Sequence, residues 1–435
     1  MRRSIVHEGS GQLTYEIREI VAVARHLRDL GREIIWENIG DPMAKGETIE
    51  PWIKQSIIQL TNQDITWGYV DTQGVLESRQ FLADKVNERG GCQITSADIV
   101  FFNGLGDAVS KIFGFLKREA RIIGPSPAYS SHSSAEAAHS GYNHLTYELD
   151  PNNGWMPDLT DIENKVRYND SIAGILLINP DNPTGAVYPR EVLEAIVDIA
   201  RRYEIIVICD EIYSHIVYGD AETVHLSEVI GDVPGIALRG ISKEYPWPGS
   251  RCGWIEVFNQ DKNPDFASYI NSLINAKMLE VCSTSLPQYS IPKIIGDPRY
   301  TEHLNNRKKI FESRAKEAVA ILNAVEGLSV VEPKGAFYMA VLFDDDILNK
   351  NQYLKIDNPE IKNYIENLVK DVEVDKRFVY YLLGSQGICV VPLTGFCCNR
   401  KGFRVTLLEV DNTKRIATWH KIAKATKEYI NSYKH

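Results

Sequence analysis

The chain is expected to fold as an α/β protein, a large domain with a mostly parallel sheet flanked by helices, plus a smaller α+β domain. Three observations lead there. From about residue 95 to 260, short β-rich runs alternate with helical patterns, the signature of helix-covered parallel strands. The run 205–209 (Ile-Ile-Val-Ile-Cys) is apolar throughout, as a strand buried on both faces must be. After about residue 300 the pattern changes to a long charged helix and then strands with separate helices.

Taken in order, 15–30 reads as a helix, followed by a short strand ending at Gly40. Strands are expected at 99–102, 121–123, 175–178, 205–209 and 236–241, with helices over 106–119 and 191–203. The helix at 191–203 sets Val192, Ala195, Ile196 and Ile199 on one face. Gly124-Pro125 is expected to stop the second strand. Beyond it lie a helix over 301–324, strands at 337–343, 387–391 and 403–408, and a C-terminal helix. Pattern alone leaves open which domain the first 50 residues join.

Bulk properties exclude several classes. A chain of 435 residues exceeds what one core usually supports. Hydrophobic residues at 44% and charged residues at 24% are globular values, which sets aside disorder and fibres. The net charge of -10, with no long basic run, disfavours a nucleic-acid partner. No apolar stretch reaches the roughly 18 residues of a membrane span, and Met1-Arg2-Arg3-Ser4 leads into polar sequence, so a cytoplasmic protein is expected. Seven cysteines without a CxxC pair read as free thiols rather than a disulfide or metal framework, and no metal site is expected.

In open α/β sheets, functional groups gather at the carboxyl ends of strands. Three segments place unusual residues there: Asn179-Pro180-Asp181-Asn182-Pro183-Thr184-Gly185, then Asp210-Glu211-Ile212-Tyr213, then Ser242-Lys243 followed by Gly249-Ser250-Arg251-Cys252-Gly253. Singly, each has a bland reading as a turn, a helix cap or an exposed lysine. Their combination in this order is specific. His132, His139 and His215 show neither triad order nor zinc spacing and read as ordinary core or surface residues.

Across nearly its full length the chain resembles the class I/II pyridoxal-phosphate aminotransferases of fold type I. The resemblance implies pyridoxal 5'-phosphate as cofactor, with Lys243 forming the internal imine and afterwards moving a proton between the substrate α-carbon and the cofactor. It implies Asp210 on the pyridine nitrogen, Asn182 and Tyr213 on the ring 3'-oxygen, and Tyr129 stacked on the ring. Leu105, Gly106 and Asp107, opening a helix after Asn103-Gly104, would cradle the phosphate beside Ser242 and Arg251. Tyr69 would reach the phosphate from the neighbouring subunit of a homodimer. Arg404 and the Gly40 N–H would hold the substrate carboxylate, with Asn182 also at the substrate. The implied division is 1–50 as N-terminal arm and part of the small domain, 51–300 as the large cofactor-binding domain, and 301–435 as the small domain.

Within the family, Tyr15-Glu16-Ile17-Arg18, Trp155-Met156-Pro157-Asp158-Leu159 and Gly185-Ala186-Val187-Tyr188 resemble the bacterial alanine (glutamate–pyruvate) aminotransferases. That implies amino-acid and 2-oxo-acid substrates, with Tyr15 and Arg18 over the substrate. Two departures remove hydroxyls that many members carry toward the phosphate: Gly240 stands three positions before the lysine, and Gly106 lies in the phosphate loop. A carbon–sulfur β-lyase uses the same cofactor grip, and a non-catalytic cofactor-binding regulator is the reading from another class.

Overall fold

The computed structural model describes residues 5–13 and 16–433. Its centre is an eight-stranded sheet in the order Ile99–Phe102, Gly253–Phe258, Gly235–Gly240, Ile206–Asp210, Ile172–Ile178, Arg121–Ser126, Thr146–Asp150, Met156–Pro157. Gly253–Phe258 and Met156–Pro157 run against the others, which are mutually parallel. Strand residues alternate between two apolar layers. Leu176, Ile208 and Ile236 pack toward the helices Leu105–Gly114 and Pro264–Met278, while Ile175, Leu177 and Val207 face the other layer with Arg190–Arg202. Leu176 is almost wholly buried, so Leu176→Ala is expected to cost about 2–5 kcal/mol.

The second unit is a four-stranded antiparallel sheet, Leu328–Val330, Tyr338–Phe343, Gly402–Thr406, Val391–Pro392 in spatial order. The helices Arg299–Leu322 and Asn412–Asn431 accompany it. The N-terminal helix Glu16–Asp29 buries Ile20, Val23, Ala24 and Leu27. The strand Ile35–Trp36 beyond it pairs in parallel with Ile388–Cys389, which ties the start of the chain to its C-terminal part.

Three expectations meet a different outcome. The strand at 121 continues through Gly124-Pro125 to Ser126. From Gly124 on it pairs with Thr146–Asp150 alone, its ladder to Ile172–Ile178 having ended at Ile123, so the proline removes no bond on that side. The helix expected over 106–119 ends at Gly114, capped by Phe115. The single strand expected over 387–391 is two: Ile388–Cys389 pairs with Ile35–Trp36, and Val391–Pro392 joins the four-stranded sheet.

Candidate active site

Parallel strands present their carboxyl ends at one edge, and this chain places its unusual residues there. The segment from Asn103 follows Ile99–Phe102, Tyr129 follows Arg121–Ser126, and the Asn179 loop follows Ile172–Ile178. Asp210 ends its own strand and Lys243 follows Gly235–Gly240. Arg251 precedes Gly253–Phe258, whose reversed direction brings its start to the same edge.

Lys243 is partly buried, and its Nζ donates to Gly40 O at 2.8 Å. Burial pushes its amine down to about 8; Asp41 opposes this, and the guanidinium groups of Arg307, Arg251 and Arg404 add to it. Its main chain is clamped from behind. Arg307 donates to the carbonyls of Lys243 and Glu244 while pairing with Glu47 at 2.6 Å, on the same N-terminal segment as Gly40.

Asp210 is buried and accepts the Ile212 N–H at 3.1 Å. Its other oxygen lies 2.8 Å from Nε2 of His132. His132, expected to take an ordinary core or surface place, is buried, and it also touches Asp210. It sits on the helix Ser130–Ser140 three positions past Tyr129, whose ring lies edge-on to it at 5.9 Å. Tyr213 is buried with its hydroxyl 3.4 Å from that of Tyr338. Burial, then Tyr338, Tyr129 and Asp210, push its phenol well above the ordinary value.

Arg404 is 1% exposed. Nη1 donates to Asn182 Oδ1 at 3.2 Å and Nη2 to Asn38 O at 2.7 Å, whereas Nε finds no partner among the described residues. The Asn182 loop holds its shape by internal bonds: Asp181 accepts the Thr184 N–H at 3.0 Å, and Tyr188 N–H donates to Asn179 Oδ1 at 2.9 Å.

At the start of Leu105–Gly114 the first bonded amides, Asp107 and Ala108, both return to Gly104 O. The N–H groups of Leu105 and Gly106 precede the intrahelical ladder, as in any helix start. Gly104 has φ +81°, and a Cβ there would collide with the Arg251 guanidinium. That guanidinium consequently lies against the turn. Burial raises the Asp107 carboxyl, but Lys111, the Asn103 N–H and Lys277 hold it below the usual range.

Tyr69 is 84% exposed, beside exposed Ile65 and Trp67. Ser242 is partly buried. Arg18 stands on the exposed side of its helix, and Tyr15 lies outside the described residues. Asn38, His132 and Tyr338 escaped the sequence reading. Only the position of His132, one helical turn after Tyr129, offered a signal.

Fold and site together define an α/β protein with a lysine at the sheet edge and a buried arginine, both bonded to the segment Asn38–Gly40. The chain belongs to the family described as aminotransferase class I and II, whose model matches residues 33–418; it is a pyridoxal-phosphate-dependent aminotransferase. An uncharacterized aminotransferase of Methanocaldococcus jannaschii is 52% identical over 99% of this chain and 100% of its own length. The glutamate–pyruvate aminotransferase AlaA of Escherichia coli is 31% identical over 75% of this chain and 79% of its own. Among solved structures, the alanine aminotransferase from Pyrococcus furiosus superposes with a TM-score of 0.82 at 26% identity, covering 98% of this chain and 100% of that one.

The residues present fit the cofactor of that family. The turn at Gly104, where a side chain would displace the Arg251 guanidinium, would suit an anion. Asp210 is a buried carboxylate with an oriented histidine partner, suited to a ring nitrogen. The unpartnered Nε of Arg404 leaves donor capacity for a carboxylate.

Proposed function

We propose that the protein moves an amino group between an alanine- or glutamate-like L-amino acid and a 2-oxo acid. The observation that carries this reading is the shared anchoring of Lys243 and Arg404: Lys243 sits on Gly40 O, and the loop from Asn38 to Gly40 also holds Arg404 through Asn38 O. An amine and a carboxylate receptor so linked suit an α-amino acid. The substrates of the Escherichia coli and Pyrococcus furiosus proteins, as named, support the choice of alanine and glutamate.

In this reading the N–H groups of Leu105 and Gly106, with Ser242 and Arg251, would hold the cofactor phosphate, and Asp107, whose own N–H returns to Gly104 O, would shape the turn. Tyr129 would face its ring, Asp210 its ring nitrogen, and Asn182 and Tyr213 its 3'-oxygen. Bound there, the cofactor supplies an aldehyde for Lys243 and an electron-accepting ring. Lys243 Nζ takes the proton from the substrate α-carbon, a role that suits an amine lowered to about 8. Arg404, with the Gly40 N–H, fixes the substrate carboxylate so that the α-hydrogen faces Nζ. Asp210, oriented by His132, keeps a proton on the ring nitrogen. Arg18 would help to cover the substrate, as the resemblance implies for Tyr15 too.

The active unit in this reading is a homodimer in which Tyr69 crosses to the partner's phosphate site. Exposed Trp67, Tyr69, Met278 and Leu279 support it. The segments that carry them are joined where Thr72 Oγ1 donates to Val281 O at 3.0 Å.

The test is product analysis with purified protein, cofactor, L-alanine and 2-oxoglutarate, and then L-glutamate and pyruvate. Equal amounts of new amino acid and new 2-oxo acid are expected. Release of ammonia with pyruvate from a β-substituted amino acid, without amino transfer, would place the chemistry with the lyases instead.

A further inference from the structure

Tyr338 belongs to no motif, yet it touches three groups of the pocket. It opens the strand Tyr338–Phe343, which pairs with Gly402–Thr406 so that Tyr338 opposes Thr406 and Ala340 opposes Arg404. Opposed residues and residues two apart share a face. Tyr338 is therefore the diagonal neighbour of Arg404, and Ala340, with its small side chain, leaves the guanidinium room to lean across. It does so: the guanidinium carbon lies 4.5 Å from the centre of the Tyr338 ring, with Phe396 at 5.1 Å. A stacked guanidinium keeps its plane.

The far end of the same ring reaches two more groups. The Tyr338 hydroxyl lies 3.4 Å from that of Tyr213. It also presses on Gly40 so closely that a Cβ there would collide with it. The ring is buried, and its start is pinned, since Lys334 and Gly335 both donate to Gly185 O at 2.9 Å. Gly185 itself has φ +77°, and a Cβ there would stand 2.8 Å from Tyr338 O. The Asn179–Gly185 loop and the tyrosine thus hold each other in place.

We propose that Tyr338 is a positioning residue that couples substrate and cofactor recognition, its ring fixing the plane of Arg404 and its hydroxyl supporting that of Tyr213. This rests on the roles given above to Arg404 and Tyr213. In this structure the Tyr213 hydroxyl donates to that of Tyr338; once Tyr213 donates to the cofactor 3'-oxygen instead, the pair reverses and the Tyr213 oxygen accepts from Tyr338. That second bond polarises the Tyr213 O–H and strengthens its donation. Stronger donation favours the charged 3'-oxygen, and so loss of the proton from the nitrogen that joins Lys243 to the cofactor.

Tyr338→Phe keeps the ring and removes the hydroxyl, whereas Tyr338→Leu removes both. Each holoenzyme is titrated with pH by its visible cofactor band, and kcat and KM for the amino donor are measured. Tyr338→Phe is expected to move the titration midpoint up by about half a unit, the effect of one neutral hydrogen bond, with KM near wild type. Tyr338→Leu is expected to show the same shift and a KM raised about tenfold, as a loosened Arg404 demands. A wild-type midpoint in Tyr338→Phe, in a preparation whose wild-type band titrates normally, overturns the inference. A Tyr338→Leu variant that fails to fold leaves Tyr338→Phe to decide. A wild-type protein with no such band sinks the proposed function instead, so the two failures are distinct.

Discussion

Nε2 of His132 and the carboxylate of Asp210 meet at 2.8 Å in a buried contact at the end of the strand Ile206–Asp210. The contact joins the helix after one strand to the end of another, so it fixes which way the carboxylate points. Replacing His132 by leucine removes one partner of a buried polar contact and leaves the other. kcat/KM is expected to fall about tenfold or more, with weaker cofactor retention, by steady-state kinetics and cofactor titration. Unchanged values would reduce the contact to packing.

Lys243 carries a pH prediction whose sign follows from its depressed amine, about 8 against the ordinary 10.5. In the apoenzyme the neutral fraction grows as pH rises through about 8. Covalent uptake of the cofactor is therefore expected to accelerate from pH 7 to 9, by stopped-flow absorbance. Between about 8 and 10.5 the unfolded chain holds a proton that the folded chain has released, so the stability contributed by this group rises with pH there and is lost as pH falls through 8. Lys243→Met is accordingly expected to melt higher than the wild-type apoenzyme at pH 7, with the difference shrinking toward pH 10.

The two glycines expected near the phosphate, Gly106 and Gly240, differ in their surroundings. A Cβ at Gly106 meets nothing within 4 Å, whereas one at Gly240 meets Cys252 O at 3.0 Å and Gly253 Cα at 3.2 Å. Gly106→Ser is expected to tighten cofactor binding by about 0.5–1.5 kcal/mol. Gly240→Ser is expected to lower the melting temperature, since the backbone of the neighbouring strand at Cys252 and Gly253 must give way. Equilibrium dialysis and calorimetry separate the outcomes.

The exposed apolar surface at Trp67, Tyr69 and Leu279 supplies a fourth prediction. Leu279→Glu is expected to shift the protein from twice the chain mass to the single chain in sedimentation, with cofactor affinity lost alongside. A wild-type protein that sediments as a single chain contradicts the shared phosphate site.

Much of this site was legible because its residues follow apolar strands directly. Asn182, Asp210 and Lys243 each interrupt a run of buried aliphatics with polar groups, and a parallel sheet puts such interruptions on one edge. Pro125 misled, because whether a proline ends a strand depends on which neighbour still pairs there. The run 387–391 misled because its residues look alike while the chain changes partners at Val390. His132 and Tyr338 were illegible for a different reason. Their neighbours lie 78 and 125 residues away in the chain, and no local pattern encodes a contact of that range.

The most direct test of the account is the absorbance spectrum of purified protein with pyridoxal phosphate, beside Lys243→Ala. Wild type is expected to gain a visible band absent from the variant. L-alanine or L-glutamate should abolish that band, and pyruvate or 2-oxoglutarate should restore it. A spectrum in which Lys243→Ala matches wild type would contradict the assignment of the lysine on which the rest depends.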